Sequence, residues 1–335
     1  AEEVKPDFWL MGEVIHGDYS RWVNGETLHS VTNYALHKAL YSGHNDHNYF
    51  EIAHTVKYLQ NMGNLDLYNF VDNHDVERIY TKLSNKAHFT PVHILLYTLP
   101  GVPSIYYGSE FGIEGRKERS SDDSLRPALS LDDYETALGD NPCTALIAAL
   151  GQIRQHTPAL SYGSYAELHL TNRQFAFARD LNDVRVVVTV NNDDNAASMD
   201  LPAGNAAEYI GALSGQKVTV QDGRINVTVP ANSGEIWVPA GDMPEYKPFK
   251  VEISVKEEPV ADEETIPDDS EAPSSVAEPV HFDPSKSPED MSVAELQAAI
   301  LAKMTNNGPV TDQMKKTVNE NIWHDSLVNW LKSFR

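Results

Sequence analysis

Residues 67–75 read Leu-Tyr-Asn-Phe-Val-Asp-Asn-His-Asp. A short, largely apolar run of strand-forming residues passes without a break into four side chains that can bind ligands or move protons. The same texture recurs on both sides of this stretch. Phe8–Gly12 runs into Glu13, His16 and Asp18, Leu28–Thr32 runs into Asn33, and Pro103–Tyr106 runs into Tyr107, Gly108, Ser109 and Glu110. Helically spaced apolar residues lie between and after these runs, over Tyr49–Gln60, Pro91–Thr98 and Thr144–Arg154. Strand then helix, four times, predicts an α/β fold with a parallel sheet.

In barrels built this way, the chemistry gathers at the C-terminal ends of the strands and comes from several strands at once. Glu13 and the Asn73-His74-Asp75 triplet therefore stand out, although each taken singly is also what an ordinary polar surface loop looks like. A carboxylate directly after an apolar strand is expected to be partly desolvated, which raises its pKa and suits it to general-acid work. His44, His47 and His54 flank Asn45 and Asp46 and raise the question of a metal. With no Cys nearby and no His-Glu-x-x-His, no metal site is expected.

The charge of -23 over 335 residues, from 26 Lys+Arg and 49 Asp+Glu, is wrong for a nucleic-acid or anionic-membrane partner, since such polyanions are bound by clustered cations. Much of it is local: residues 251–290 hold 13 acidic residues, 2 basic residues and six Pro. Such a composition buries too little apolar surface to offset chain entropy, so 241–290 is expected to be an acidic, Pro-rich disordered linker. The single Cys143 excludes an intrachain disulfide, and no window has the 18 or so consecutive apolar residues of a spanning helix, so no membrane partner is expected. The chain opens on Ala1 with no basic-then-apolar leader. The compartment stays open, leaning to the cytoplasm.

After the first 158 residues the texture changes. FAFAR, VRVVVTV, KVTV, RINVTV and GEIWV alternate with Asn-, Asp-, Gly- and Pro-rich turns, which predicts an antiparallel β-sandwich over 162–240. Beyond the linker, residues 291–335 open with Ser292 and Glu295 at capping-box spacing and align Leu296, Ile300 and Met304 on one face. A second helix aligns Met314, Val318 and Ile322, followed by Leu327, Trp330, Leu331 and Phe334. This small helical tail is expected to dock on the protein itself or to mediate self-association.

Gly12-Glu13-Val14 after a strand, FVDNHD at Phe70–Asp75 and GVPSIYYGSEFG at Gly101–Gly112 together resemble the third and fourth sequence motifs and the eighth-strand segment of the α-amylase family, glycoside hydrolase family 13. Arg126-Pro127 is similar to an Arg-Pro step found after the eighth strand in many of these enzymes. The resemblance covers about residues 5–240 and implies the second half of a TIM (β/α)8 barrel, strands five to eight, followed by the family's C-terminal β-sandwich. It also implies retaining attack on α-glucosidic bonds of starch, maltodextrin or cyclodextrin. By this resemblance Glu13 is the general acid/base and Asp75 the transition-state-stabilising Asp. His74 binds sugar hydroxyls with Asn73 beside it, Asp72 supports the motif, and His16 and Tyr107 are further sugar contacts.

The family's nucleophile lies in a Gly-x-Arg-x-Asp motif about one strand-helix unit before the acid, and only twelve residues precede Glu13 here. Asp7 is the sole Asp among them, and it precedes the first strand at the wrong end. Strands one to four and the nucleophile are thus expected to be missing, and the chain alone is expected to be inactive. No cofactor is expected, with calcium possible in a complete enzyme. The alternative is a non-catalytic carbohydrate-binding or structural protein derived from an amylase.

Overall fold

A computed structural model describes residues 4–5, 8–242, 286–288, 291–307, 318 and 331–332. Asp7, most of the acidic linker, and Met314, Ile322, Leu327, Trp330 and Phe334 of the tail lie outside the described residues. Residues 1–258 form one compact unit and 259–335 another.

In the first unit, β1 (Met11–Gly12) runs parallel to β2 (Ser30–Val31), and β3 (Tyr68–Asn69) runs parallel to β4 (Val102–Pro103). A parallel bridge from Thr32 to Tyr68 joins the pairs, so the four strands stand side by side in chain order. Each is shorter than its apolar run, because the flanking residues turn away into loops. Gly101, just before β4, has φ 113, and a Cβ there would lie 2.7 Å from the Leu67 carbonyl oxygen. Only glycine lets the two chains approach this closely.

Strand-helix alternation holds for three of the four strands. Between β1 and β2 there is only a 3-10 turn, Tyr19–Arg21, capped by Asp18. The bulk that helix would have supplied follows β2 instead, as two helices, α1 (Tyr34–Asn45) and α2 (Tyr49–Gln60). Helix α1 was not foreseen, since its buried face carries His37, Gly43 and His44 among Leu36, Ala39 and Leu40 and so breaks the apolar rhythm. Its start is set by Asn33, whose side chain accepts the Leu36 N–H. After β3 come α3 (Ile79–Lys82) and α4 (Phe89–Thr98), the latter buried on nearly every side. After β4 come α5 (Ala137–Asp140), α6 (Pro142–His156) and α7 (Pro158–Tyr162). Asn141 caps α6 by accepting from Cys143 and Thr144, with Pro142 in the first turn where no N–H is needed.

Eight antiparallel strands follow: β5 (Ser164–Leu170), β6 (Gln174–Leu181), β7 (Val184–Asn191), β8 (Ala197–Pro202), β9 (Glu208–Gly211), β10 (Lys217–Thr219), β11 (Arg224–Val229) and β12 (Ser233–Pro239). Six of them form a sheet in the order β10-β9-β12-β7-β6-β5, and β8 with β11 forms a second sheet. The sandwich is therefore uneven. On one face of the large sheet Ala176, Val187 and Trp237 meet Met199, Leu201, Ile225 and Val227 of the small one. On the other, Phe175, Phe177, Val188 and Ile236 share a single core with Leu95, Leu96, Leu146 and Leu150 of α4 and α6. The central strands read as unbroken apolar runs because both their faces are covered.

Two guanidiniums bind this junction. Arg154 donates to the carbonyls of Tyr97 (2.6 Å), Leu160 (2.9 Å) and Gly101 (2.7 Å), and Arg179 to those of Thr98 (2.6 Å) and Gly163 (2.9 Å). Both thus satisfy the carbonyl end of α4, where the helix dipole is negative.

In the second unit, α8 (Val293–Asn307) starts with a reciprocal cap: the Glu295 N–H donates to Ser292 Oγ and the Ser292 N–H to Glu295 Oε2. Leu296, Ala299 and Ile300 pack with Met291, Val318 and Leu331. Among the described residues, no helix is long and apolar enough to cross a membrane.

Candidate active site

Glu13 follows β1, and Asn73, His74 and Asp75 follow β3, so the parallel order of the strands brings them to one end of the sheet. Oxygen or nitrogen atoms of Glu13, His74 and Asp75 all lie within 4.8 Å of one another. The link between them is Tyr34, the first residue of α1. Its hydroxyl donates to Glu13 Oε1 at 2.9 Å and accepts from Asn73 Nδ2 at 3.0 Å. Burial, opposed by the Asn73 amide and reinforced by the Glu13 carboxylate, pushes the Tyr34 hydroxyl up to about 12, so it stays protonated and remains a donor.

Asn73 has a second task. Its Oδ1 accepts the backbone N–H groups of Asp75 (2.9 Å) and Val76 (3.1 Å), which shapes the turn that presents His74 and Asp75. The Asp75 carboxylate lies between the Arg126 guanidinium, Nη2 at 2.8 Å, and the His74 ring, Nε2 at 3.3 Å. Arg126 also donates from Nε to the His74 carbonyl and pairs with Asp122 at 3.2 Å. The Lys117 ammonium, and more weakly Arg126, hold the Asp122 carboxyl below its ordinary value.

Glu13 directly follows β1 as expected, but its side chain is exposed on the loop that leaves the strand. The desolvated carboxylate is Asp72, which is 1% exposed. Burial pushes it up to about 6 against the pull of the Ser109 hydroxyl (2.7 Å), the Ile79 N–H (2.7 Å) and the nearby Arg78 charge. Arg78 is itself fully buried, donating to the Tyr107 and Leu125 carbonyls and to Ser109 Oγ, with its guanidinium 4.2 Å from the Tyr106 ring centre. Asp72, Ser109 and Arg78 thus form a buried polar floor that fastens the loop after β3 to the loop after β4.

The other expected residues are placed less centrally. His16 lies on the exposed loop three residues past Glu13. Tyr107 is 43% exposed after β4, with its hydroxyl on the Pro127 carbonyl at 2.9 Å. Tyr34, Arg78 and Arg126 escaped the sequence reading as site residues. Arg126 alone had a signal, the Arg-Pro step.

A cation among Glu13, His74 and Asp75 would face the Arg126 guanidinium already bonded to Asp75, which makes this set a poor metal site. His44, the buried member of the other histidine group, has both ring nitrogens engaged, by the Leu40 carbonyl and the Tyr49 hydroxyl. Burial pushes it down to about 3. His47 bonds the Asn192 carbonyl and His54 lies exposed on α2.

A family model described as "Alpha amylase, catalytic domain" matches residues 1–162, and one described as "Alpha-amylase C-terminal domain" matches 163–237. The chain is 25% identical over 247 residues to neopullulanase 2 of Thermoactinomyces vulgaris, covering 70% of this chain and 41% of that protein. It is 28% identical over 180 residues to a cyclomaltodextrin glucanotransferase of Niallia circulans, covering 51% and 24%. It thus spans less than half the length of these relatives. The solved structure of an Anoxybacillus α-amylase has the same fold at a TM-score of 0.62 and 22% identity, over 73% of this chain and 54% of that one. With both family models laid end to end over the four parallel strands and the sandwich, the chain belongs to the α-amylase family, glycoside hydrolase family 13.

Proposed function

We propose that this chain supplies the acid/base half of a retaining enzyme acting on α-glucans. Residues 1–158 would be barrel strands five to eight. The observation that carries the reading is the wiring of Glu13 to the Asn73-His74-Asp75 loop through Tyr34. In this mechanism protonated Glu13 gives its proton to the glycosidic oxygen as the bond to the anomeric carbon breaks. The Glu13 carboxylate then takes a proton from the water that releases the sugar. Asp75, held by Arg126, stabilises the positive charge developing on the ring, and His74 bonds its hydroxyls. Asn73 holds the turn, His16 and Tyr107 lie at the rim of the site, and no cofactor takes part.

The nucleophile would be an Asp from a segment that packs on the outer edge of β1, where Phe8, Trp9 and Met11 are 44%, 45% and 39% exposed. A second reading makes Asp75 the nucleophile. It is favoured by the Glu13–Asp75 approach within 4.8 Å, near the roughly 5–5.5 Å of retaining pairs. It is opposed by the Arg126 ion pair, which quenches the carboxylate's nucleophilicity.

Reducing-sugar release from maltoheptaose decides between them. Residues 1–335 alone are expected to release none, whereas release that disappears with Asp75→Asn would establish the second reading. In the polypeptide that completes the barrel, Glu13→Gln should remove at least about 10²-fold of the rate on unactivated glucans. Unchanged hydrolysis would rule Glu13 out as the acid.

A further inference from the structure

Where the end of α1 meets the sandwich lies a group of histidines that the candidate site does not use. His88, the last residue of the 3-10 turn before α4, is 1% exposed, with its ring centre 5.7 Å from that of His44 and 5.3 Å from that of His47. It faces the Asn192 backbone and Asp194 in the loop after β7, and the Asn232 side chain in the turn before β12. Among the described residues, four buried polar atoms here have no hydrogen-bond partner: both His88 ring nitrogens, Asn192 Oδ1 and Asn232 Oδ1. Unpaired groups of this kind weaken the joint that buries them.

The neighbouring ring is contested as well. His47 Nδ1 lies 2.8 Å from the Asn192 carbonyl, which calls for a proton on that nitrogen, and 2.9 Å from Arg173 Nη1, which calls for a lone pair. His47 and Asn232 both hold left-handed backbone, at φ 48 and 49, a conformation that costs His more than Asn. The bonds that cross the joint include the Tyr49 N–H to the Asn172 carbonyl at 2.9 Å and Asn192 Nδ2 to the Gly43 carbonyl at 3.4 Å.

The charged groups around it are Arg173, paired with Asp193 at 3.4 Å, and Asp194, which accepts from Asn232 Nδ2 at 3.1 Å. Bonds from Asn195 hold the Asp193 carboxyl below its ordinary value, so it stays ionised in mild acid. His44 and His93 each donate from Nδ1 to a carbonyl one turn back, and burial pushes them down to about 3 and about 4, so both stay neutral there. Burial, reinforced by His47 and opposed by Asn232, Asn192 and Asp194, lowers His88 from its ordinary value of about 6.5.

We propose that this histidine joint is an acid-sensitive latch, closed while His88 is neutral, whose opening in mild acid parts the end of α1 from the sandwich loops. The open joint gives His88 to solvent, where it takes a proton at its ordinary pKa, whereas the closed joint resists that proton. The closed form therefore loses ground as the pH falls through about 6.5 and regains it above. Between pH 7.5 and pH 5.5, one imidazole excluded in this way shifts the opening equilibrium by at most about tenfold. Helix α1 carries Tyr34 at its other end, so the latch and the candidate site share one element.

Amide hydrogen exchange of the 335-residue chain, corrected for the intrinsic rate at each pH, reads the latch at Tyr49, whose N–H bonds across the joint. Protection at Tyr49 should fall about fivefold to tenfold from pH 7.5 to pH 5.5, while α6 stays better protected at both. His88→Gln should keep Tyr49 protection level over that range. Asp194→Asn changes an exposed residue and removes a carboxylate that tolerates charge on His88, so its loss should equal or exceed the parent's. If His88→Gln does not fold, the parent and Asp194→Asn decide. Tyr49 protection that ignores pH in the parent, falls equally in His88→Gln, falls less in Asp194→Asn, or is lost only together with that of α6 would overturn the latch.

Discussion

Replacing Asp72 by Asn tests the buried floor beneath the candidate site. In the folded chain Asp72 is pushed from about 3.8 up to about 6, chiefly by burial. A carboxyl raised on folding contributes stability that is fully present below its unfolded pKa and is lost as the pH climbs through the folded one. At about 1.4 kcal/mol per unit, the shift is worth about 3 kcal/mol between pH 3.5 and pH 7.5. Asn keeps the acceptor that the Ser109 hydroxyl and the Ile79 N–H use, and its stability does not titrate there. Urea unfolding followed by circular dichroism gives the difference between parent and variant at each pH. That difference should move by about 3 kcal/mol in favour of the Asp72→Asn variant as the pH rises through the window. A constant difference would mean that Asp72 is not desolvated as described, and a difference moving the other way would mean that the Arg78 charge outweighs the burial.

Tyr34→Phe removes the hydroxyl that joins Glu13 to Asn73. In the completed barrel kcat on maltoheptaose should fall by about tenfold to a hundredfold with KM nearly unchanged, since a charge-assisted hydrogen bond is worth about 1.5–3 kcal/mol. An equal loss in kcat and gain in KM would point to a sugar contact instead. Gly101→Ala forces a Cβ to within 2.7 Å of the Leu67 carbonyl at a φ of 113, so it should cost at least about 2 kcal/mol of stability in urea. A neutral result would mean that β3 and β4 separate easily.

The strand-end logic was legible because it uses local contrast: an apolar run ending in Glu13, or in Asp72-Asn73-His74-Asp75, needs no long-range information. Strand lengths were not, because two residues per strand suffice once Leu67 and Gly101 approach backbone to backbone. Helix α2 was readable from its clean spacing, whereas α1 was hidden by polar residues that find partners only in the fold, as His44 does between Leu40 and Tyr49. Tyr34 was hidden for the same reason, since nothing in its neighbours announces that its hydroxyl lies between two residues 21 positions before and 39 positions after it. The exposure of Glu13 was misjudged because burial depends on what covers the loop after the strand: β1 stops at Gly12 as read, yet Glu13 just beyond it is exposed.

The core shared by α4, α6 and the large sheet has a consequence for anyone who recombines these proteins. Phe175, Phe177, Val188 and Ile236 have their partners on the far side of residue 162, where the two family models meet. A crossover placed there would join halves shaped against different neighbours, leaving voids or clashes along the whole sheet and putting at risk the bond from Arg179 to the Thr98 carbonyl. Helices α1 and α2 line the same core, so the transplantable module is the sheet together with α1, α2, α4, α6 and α7, and a successful graft would cut upstream of Tyr34.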